Sequence, residues 1–332
     1  MTFNFERRAV LQGTAAALAG AFAGRGAEAQ SRPSDVLATA AGLEQLHALI
    51  VRQDGQTRIA EAFRGWSLEQ PANVKSVSKT IVALLTGIAI DKGILTGPDQ
   101  RILPLLGHPA TGDQRDALTI GNLLSMQAGL ESTSGPNYGA WVSSGDWVEY
   151  VLSRPADSPP GGRFIYSTGG WHVLGAALAR SSGESLHALA QGWLGDPLDI
   201  RIPPWITDPQ GRFLGGNDMA ISPLDLARIG DMVLNRGQID GRRVVGEGWL
   251  DTSFRPRTRS PFSGDAYGYG WFLTRFGGTQ AVYARGYGGQ MLVVVPDRRL
   301  TITILSDLNR PARGDGYFGD LRNLAGDIVS TY

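Results

Sequence analysis

The stretch Ser76–Lys92, SVSKTIVALLTGIAIDK, constrains this chain more than any other. Ile81, Val82, Leu84, Leu85, Ile88 and Ile90 put apolar side chains on nearly every face of a helix that Gly93 stops. A helix that is apolar all round belongs inside a domain, not on its surface. Yet its first turn carries Ser76 and, three residues on and on the same face, Lys79. The chain has only three lysines, Lys75, Lys79 and Lys92, against 28 arginines. A lysine inside a buried helix is therefore a departure from the chain's own habit.

Chemistry accounts for the departure. A serine hydroxyl is a poor nucleophile until a neighbouring base takes its proton. Lysine becomes such a base when burial and the positive end of a helix dipole lower its pKa. Arginine stays protonated and cannot serve. Ser76 and Lys79 are thus a candidate nucleophile and base. Lys75, before the helix, reads as a solvated charge.

Around this helix the chain divides by periodicity. Residues 46–64 read as a β-hairpin turning at Asp54-Gly55. Residues 119–130 and 169–183 read as helices, and 222–237 as a helix with Ser222 as N-cap, Pro223 at N1, Asp225 at N3 and Gly237 at C′. The tail returns to strands at 267–276, 281–285, 291–296 and 300–306, joined through Gly277-Gly278 and Asp297-Arg298-Arg299, with a last helix over 317–330. Strands from both ends enclosing a helical middle predict an α+β fold. One antiparallel sheet is built from the N- and C-terminal strands and flanked by helices, with a mostly helical second lobe. The sheet lobe is expected at about 42–75 and 262–332, the helical lobe at about 94–260, and a cleft between them.

Other functions are narrowed by what is missing. Of 332 residues none is cysteine, which removes disulfides, thiol nucleophiles and cysteine metal sites. His47, His108, His172 and His187 have no His-x-x-x-His spacing, and no zinc site or other cofactor is expected. Formal net charge is zero, with no basic stripe for nucleic acid. There is no G-x-S-x-G, so a Ser-His-Asp hydrolase is unsupported, and His172 reads as core or cleft wall. At the N-terminus, Arg7-Arg8, an Ala/Leu/Gly run and Ala27-Glu28-Ala29 read as a twin-arginine signal peptide over 1–29, cleaved near Ala29. The expectation is export, to a periplasm, of a domain spanning 30–332. The run from Ala9 to Ala23 is too short for a permanent membrane anchor.

Two further segments join the serine and lysine. In RFIYSTGGW (163–171), Tyr166 follows a Pro/Gly loop and precedes a helix, where a phenol near Lys79 can move a proton to a leaving group. In ARGYGGQMLVVVP (284–296), glycines 286, 288 and 289 border a strand and allow close backbone approach. A strand-edge N–H near Gln290, together with the N–H of Ser76, would form an oxyanion hole. In GPNYGAWVSSGDWVEY, Tyr138, Trp141 and Trp147 are placed near the cleft, as pocket lining or as packing of the second lobe.

In this order the elements resemble the serine β-lactamase and penicillin-binding-protein superfamily. The closest likeness is to class C β-lactamases and their esterase and 6-aminohexanoate-dimer hydrolase relatives, over about 42–330. SVSK matches S-x-x-K and implies Ser76 as nucleophile and Lys79 as base. YST matches Y-x-N and implies Tyr166 as the proton-transfer residue. RGYGGQ occupies the third-motif strand. LTIGNLLSMQAGL and GGNDMAISPLDLARIGDMVLNRG are softer matches. Thr168 stands where the family has the Asn of Y-x-N. Tyr287 stands where it has a Lys or His, with Arg285 as a partial substitute. With Gly288, Gly289 and Gln290, these residues are the candidate substrate-binding set.

The resemblance implies acyl transfer to a small-molecule ester or amide by a carboxylesterase or a 6-aminohexanoate-dimer-hydrolase-like amidase. D-amino-acid peptidase and β-lactamase are the alternatives. A non-catalytic binder of peptide or acyl ligands is the rival from another class. A pure binder gains nothing from a depressed lysine pKa.

Overall fold

The computed structural model describes residues 32–312 and 316–332. The expected signal peptide lies outside the described residues. Among the described residues no helix is long and apolar enough to cross a membrane.

A helix α1 (Pro33–Gly42) leads into the hairpin β1 (Leu46–Gln53) and β2 (Gln56–Ala62). Asp54 (φ 51°) and Gly55 (φ 75°) are both left-handed, the conformation that a tight Asp-Gly hairpin turn requires. Short strand β3 (Ala72–Asn73) precedes α2 (Val77–Asp91), in which residues 77 to 89 are all buried. Each fully buried Leu, Ile or Val there contributes about 1.5–3 kcal/mol of hydrophobic stabilisation. The middle of the chain includes α3 (Thr168–Ser182), the short strand β4 (Ala220–Ile221) and α4 (Pro223–Leu234). Strands β5 (Thr258–Arg259), β6 (Ala266–Tyr267), β7 (Phe272–Phe276), β8 (Thr279–Gly286), β9 (Gln290–Val295) and β10 (Leu300–Ser306) follow, then α5 (Tyr317–Thr331).

The eight-stranded antiparallel sheet has the order β2-β1-β10-β9-β8-β7-β6-β5. Strands from the two ends of the chain therefore pair within it, second and third from one edge, with Leu49 opposite Ile304. Side chains alternate between two covered faces. On one, Leu292 of β9 meets Gly230 of α4, and Gly286 of β8 meets the turn before α2. On the other, the Arg285 guanidinium lies 3.3 Å from the centre of the Phe318 ring on α5. This is the expected α+β architecture.

Three predicted elements end elsewhere. The helix expected over 119–130 runs only from Ile120 to Leu124. At Met126 (φ 61°) the chain turns left-handed, so that its carbonyl accepts from Ile165 N–H at 2.7 Å and its sulfur from Trp171 Nε1. The strand expected over 267–276 is broken at 268–271. There Gly268 N–H donates to Trp271 O, and the Gly270 carbonyl accepts from the Thr80 hydroxyl of α2. Tertiary partners outbid local pattern in both places. Helix α4 starts as expected, with Ser222 Oγ accepting from Asp225 N–H. At its far end Arg236 (φ 54°) takes the left-handed position, and Gly237 follows it.

Candidate active site

Ser76 caps α2 without using its hydroxyl to do so: its backbone is already helical (φ −70°, ψ −2°), and its side chain makes no capping bond. The hydroxyl is left for Lys79, whose Nζ lies 2.9 Å from Ser76 Oγ. The turn that aims Ser76 is braced on the 218–221 segment. Val74 N–H donates to Met219 O, Ser78 Oγ donates to Lys75 O and receives Met219 N–H, and β3 pairs with β4. Lys75 itself is left-handed (φ 50°), a strain of order 1 kcal/mol that the surroundings hold in place.

Lys79 is 2% exposed. Its Nζ donates to Gly216 O at 2.6 Å and to Thr168 Oγ1 at 3.2 Å, besides its contact with Ser76. Gly216 reaches it because glycine alone fits: a Cβ there would lie 2.8 Å from Trp171 Cβ and 2.9 Å from Thr168 O. Thr168 is the first residue of α3, so the positive ends of α2 and α3 converge on one amine. Burial lowers the Lys79 pKa, opposed by the Tyr166 phenol and by Asp218. The Tyr166 ring centre lies 4.9 Å from Nζ. Thr168 is held from behind: its N–H donates to Ser134 Oγ (2.8 Å), and the two hydroxyls are 2.9 Å apart.

These groups open into a cavity of about 750 Å³ lined by Lys75, Ser76, Ser134, Tyr138, Tyr166, Thr168 and Asn217 on one side. On the other stand Phe262, Phe272, Arg285, Gly286, Tyr287 and Ala312. Strand β8 comes this close because a Cβ on Gly286 would lie 2.3 Å from Val74 O. Neither the Ser76 N–H nor the Tyr287 N–H has a hydrogen-bond partner among the described residues, and both residues line this cavity. They are a candidate pair of backbone donors for an oxyanion.

Several sequence-predicted residues stand elsewhere than expected. Gln290 is buried behind the strand, its side chain bonded to Tyr287 O, Ser306 O and Ser306 N–H, and it does not line the cavity. Gly288 (φ 78°) and Gly289 (φ 99°) form the β8–β9 turn and face Asp307 and Leu321, not the cleft. The candidate strand donor therefore moves from the neighbourhood of Gln290 to Tyr287. Trp141 is wholly buried, its indole N–H donating to Trp147 O, and Trp147 is buried beside it. Tyr138 alone of that aromatic segment reaches the cavity, 3.4 Å from Asn217 Nδ2. Arg285 lines the cavity, donating to Ala312 O at 3.0 Å, and burial pushes its pKa down. Lys75 is not a solvated charge: its Nζ lies 2.9 Å from Asp218, which also accepts from Asn73 Nδ2. His172 is buried core, paired with Asp208 at 3.1 Å and accepting Gly215 N–H at 3.4 Å.

Sequence reading missed Ser134, Gly216, Asn217, Asp218 and Phe262. The segment GGNDMAISP carried a usable signal for three of them, since paired glycines before a polar pair mark a close backbone approach. Among the described residues no group of three or more His, Asp or Glu stands where a metal ion would be held.

Comparison with known proteins agrees with this geometry. Residues 44–326 match the Beta-lactamase family model. The chain belongs to this family of β-lactamase-fold serine hydrolases. Among curated proteins it is 25% identical over 231 residues to the 6-aminohexanoate-dimer hydrolase of Paenarthrobacter ureafaciens, covering 64% of this chain and 58% of that one. The chain thus spans less than two thirds of that relative. Among solved structures it is similar to EstCE1, a hydrolase with promiscuous acyltransferase activity (17% identity, 91% of this chain and 98% of that one, TM-score 0.73). It is similar too to a penicillin-binding-protein homologue from Caulobacter crescentus (17% identity, 91% and 98%, TM-score 0.72). At these identities the structural likeness speaks for the fold.

Proposed function

We propose that this chain is an exported serine hydrolase that cleaves an ester or amide through an acyl-enzyme on Ser76. Its activity is that of a carboxylesterase or a short-chain amidase of the 6-aminohexanoate-dimer-hydrolase kind. The observation that carries this reading is the buried Lys79 amine, 2.9 Å from Ser76 Oγ with Gly216 O and Thr168 Oγ1 as its other partners. As an ammonium, Lys79 spends all three protons on these acceptors. As a neutral amine it keeps two N–H bonds, to Gly216 and Thr168, and turns its lone pair on the serine hydroxyl.

Lys79, with Tyr166 beside it, takes the Ser76 proton as Oγ attacks the carbonyl carbon. The Ser76 and Tyr287 N–H groups hold the negative oxygen of the tetrahedral intermediate. The proton passes through Lys79 and Tyr166 to the leaving oxygen or nitrogen as its bond to carbon breaks. Water then attacks the acyl-serine with the same pair as base, releasing the acid and restoring Ser76. The homology to a 6-aminohexanoate-dimer hydrolase supports amide chemistry, and the Arg7-Arg8 leader supports export.

The test is hydrolysis of p-nitrophenyl butyrate by the protein and its Ser76→Ala variant, side by side. A loss of at least about 10³-fold is expected. Equal activity in both would remove Ser76 from the mechanism. No activity in either would favour a narrow peptide or amide substrate, or a non-catalytic binder.

A further inference from the structure

Five large hydrophobic side chains are exposed among the described residues, and the two most exposed, Phe262 (76%) and Tyr287 (56%), both border the Ser76 cavity. They come from separate elements. Phe262 sits in the loop between β5 and β6, and Tyr287 in the turn after β8. Neither is loosely presented. The Phe262 loop is closed by Ser260 N–H to Asp265 O and Gly264 N–H to Ser260 O. Its base is pinned where the buried Asp265 carboxylate accepts from Tyr283 Oη (2.6 Å) and Arg322 (2.8 Å). The Tyr287 turn is pinned by Gln290 Nε2 donating to Tyr287 O at 3.2 Å.

Single exposed apolar residues need no explanation, but two held out by braced turns around one cavity form a patch. Phe272 and Ala312 line the same side of the cavity, where Arg285 turns its guanidinium to the Phe318 ring and Ala312 O, whereas Lys75, Ser134 and Asn217 make the opposite side polar. We propose that Phe262 and Tyr287 are an apolar clamp on the cavity mouth, which selects esters and amides carrying an alkyl or aryl group of several carbons on one side of the scissile bond. The proposal rests on the Ser76 reading for turnover, but not for binding.

Two substrate series test it: p-nitrophenyl esters from acetate to octanoate, and acetate esters from ethyl to octyl. In at least one series kcat/KM is expected to rise about two- to fourfold per methylene. Phe262→Ser is expected to flatten that rise, and Phe262→Ser with Tyr287→Ser to abolish it. A flat wild-type response in both series, or a rise that survives in the double variant, overturns the clamp. Calorimetry on Ser76→Ala protein separates this from the chemistry, using octanamide against propanamide and N-octylacetamide against N-ethylacetamide. Preference for a long chain without any hydrolysis by the wild type would sink the Ser76 mechanism and sustain the clamp. Hydrolysis without chain preference does the reverse. Both side chains face water, so the variants are expected to melt within a few degrees of the parent.

Discussion

On the helix wall of the cleft, Lys79 is almost fully enclosed and its amine contacts three oxygens, while the serine turn is tied to the 218–221 segment through Val74, Ser78 and the β3–β4 pairing. On the strand wall, Tyr287 and Phe262 project into water and the Tyr287 N–H has no partner among the described residues. The first wall is finished in the free protein. The second is completed only by what binds to it. Reactivity is thus built where solvent is excluded and every hydrogen bond has a target. Choice of substrate is left to a surface whose contacts are still open. An interior lysine unpaired with any carboxylate is an arrangement that stability alone would not retain, which is the ground for the role proposed for it.

The largest expected effect breaks the helix wall. Lys79→Arg keeps charge but cannot act as base, so kcat should fall about 10²–10⁴-fold, nearly as far as in Lys79→Ala. An active arginine variant would refute the lysine-base scheme. The pH dependence follows from the same residue. Burial lowers the Lys79 pKa and the proposed scheme uses the neutral form, so kcat/KM should climb as pH rises through that lowered value, below the ordinary lysine range. Between the folded and unfolded pKa values the unfolded chain binds the extra proton, so stability rises with pH across that window.

A smaller effect breaks the contact between the walls. Gly286→Ala would set a methyl group against the Val74 carbonyl. Overpacking of this kind costs about 1–3 kcal/mol, visible as a lower Tm, and it should also depress kcat by shifting the Tyr287 N–H. A variant with parental Tm and activity would show that the strand does not need that approach. The smallest effect sharpens the comparison. Lys75→Met leaves Asp218 without its cation, and the freed carboxylate favours the Lys79 ammonium. The acid limb of kcat/KM should move to higher pH, and Asp218→Asn should move it lower. A rate profile indifferent to both changes would place that ion pair outside the electrostatics of the site.

Much of the helix wall was legible because its signals are local. Asp54-Gly55 dictates a hairpin, apolar residues on nearly every face dictate an interior helix, and a serine three residues before a lysine puts both on one face. The strand wall was less so, since its geometry depends on where strand β8 ends. A one-residue difference decides which N–H faces the cleft, and the glycines at 286, 288 and 289 look alike in sequence while only the first approaches Val74. Lys75 misled for a related reason, its partner Asp218 being 143 positions away. Trp141 misled because a large aromatic near a cleft can serve as lining or as floor, and a satisfied indole N–H is visible only in three dimensions.

The pairing of β1 with β10 sets a timetable for the polypeptide as it is made. Leu49 must wait for Ile304, 255 positions downstream, before the N-terminal hairpin can join the rest of the sheet. At ordinary rates of synthesis that is an interval of roughly 10–50 s, during which the apolar α2 segment has already emerged while strands β8 and β9, which it also packs against, come only near the end. Few contacts that define the sheet can form early, so closure should be late, slow and cooperative. A truncation that removes only β10 and α5 would therefore strip β1 and β9 of the strand that lies between them, although not one residue of either had been touched.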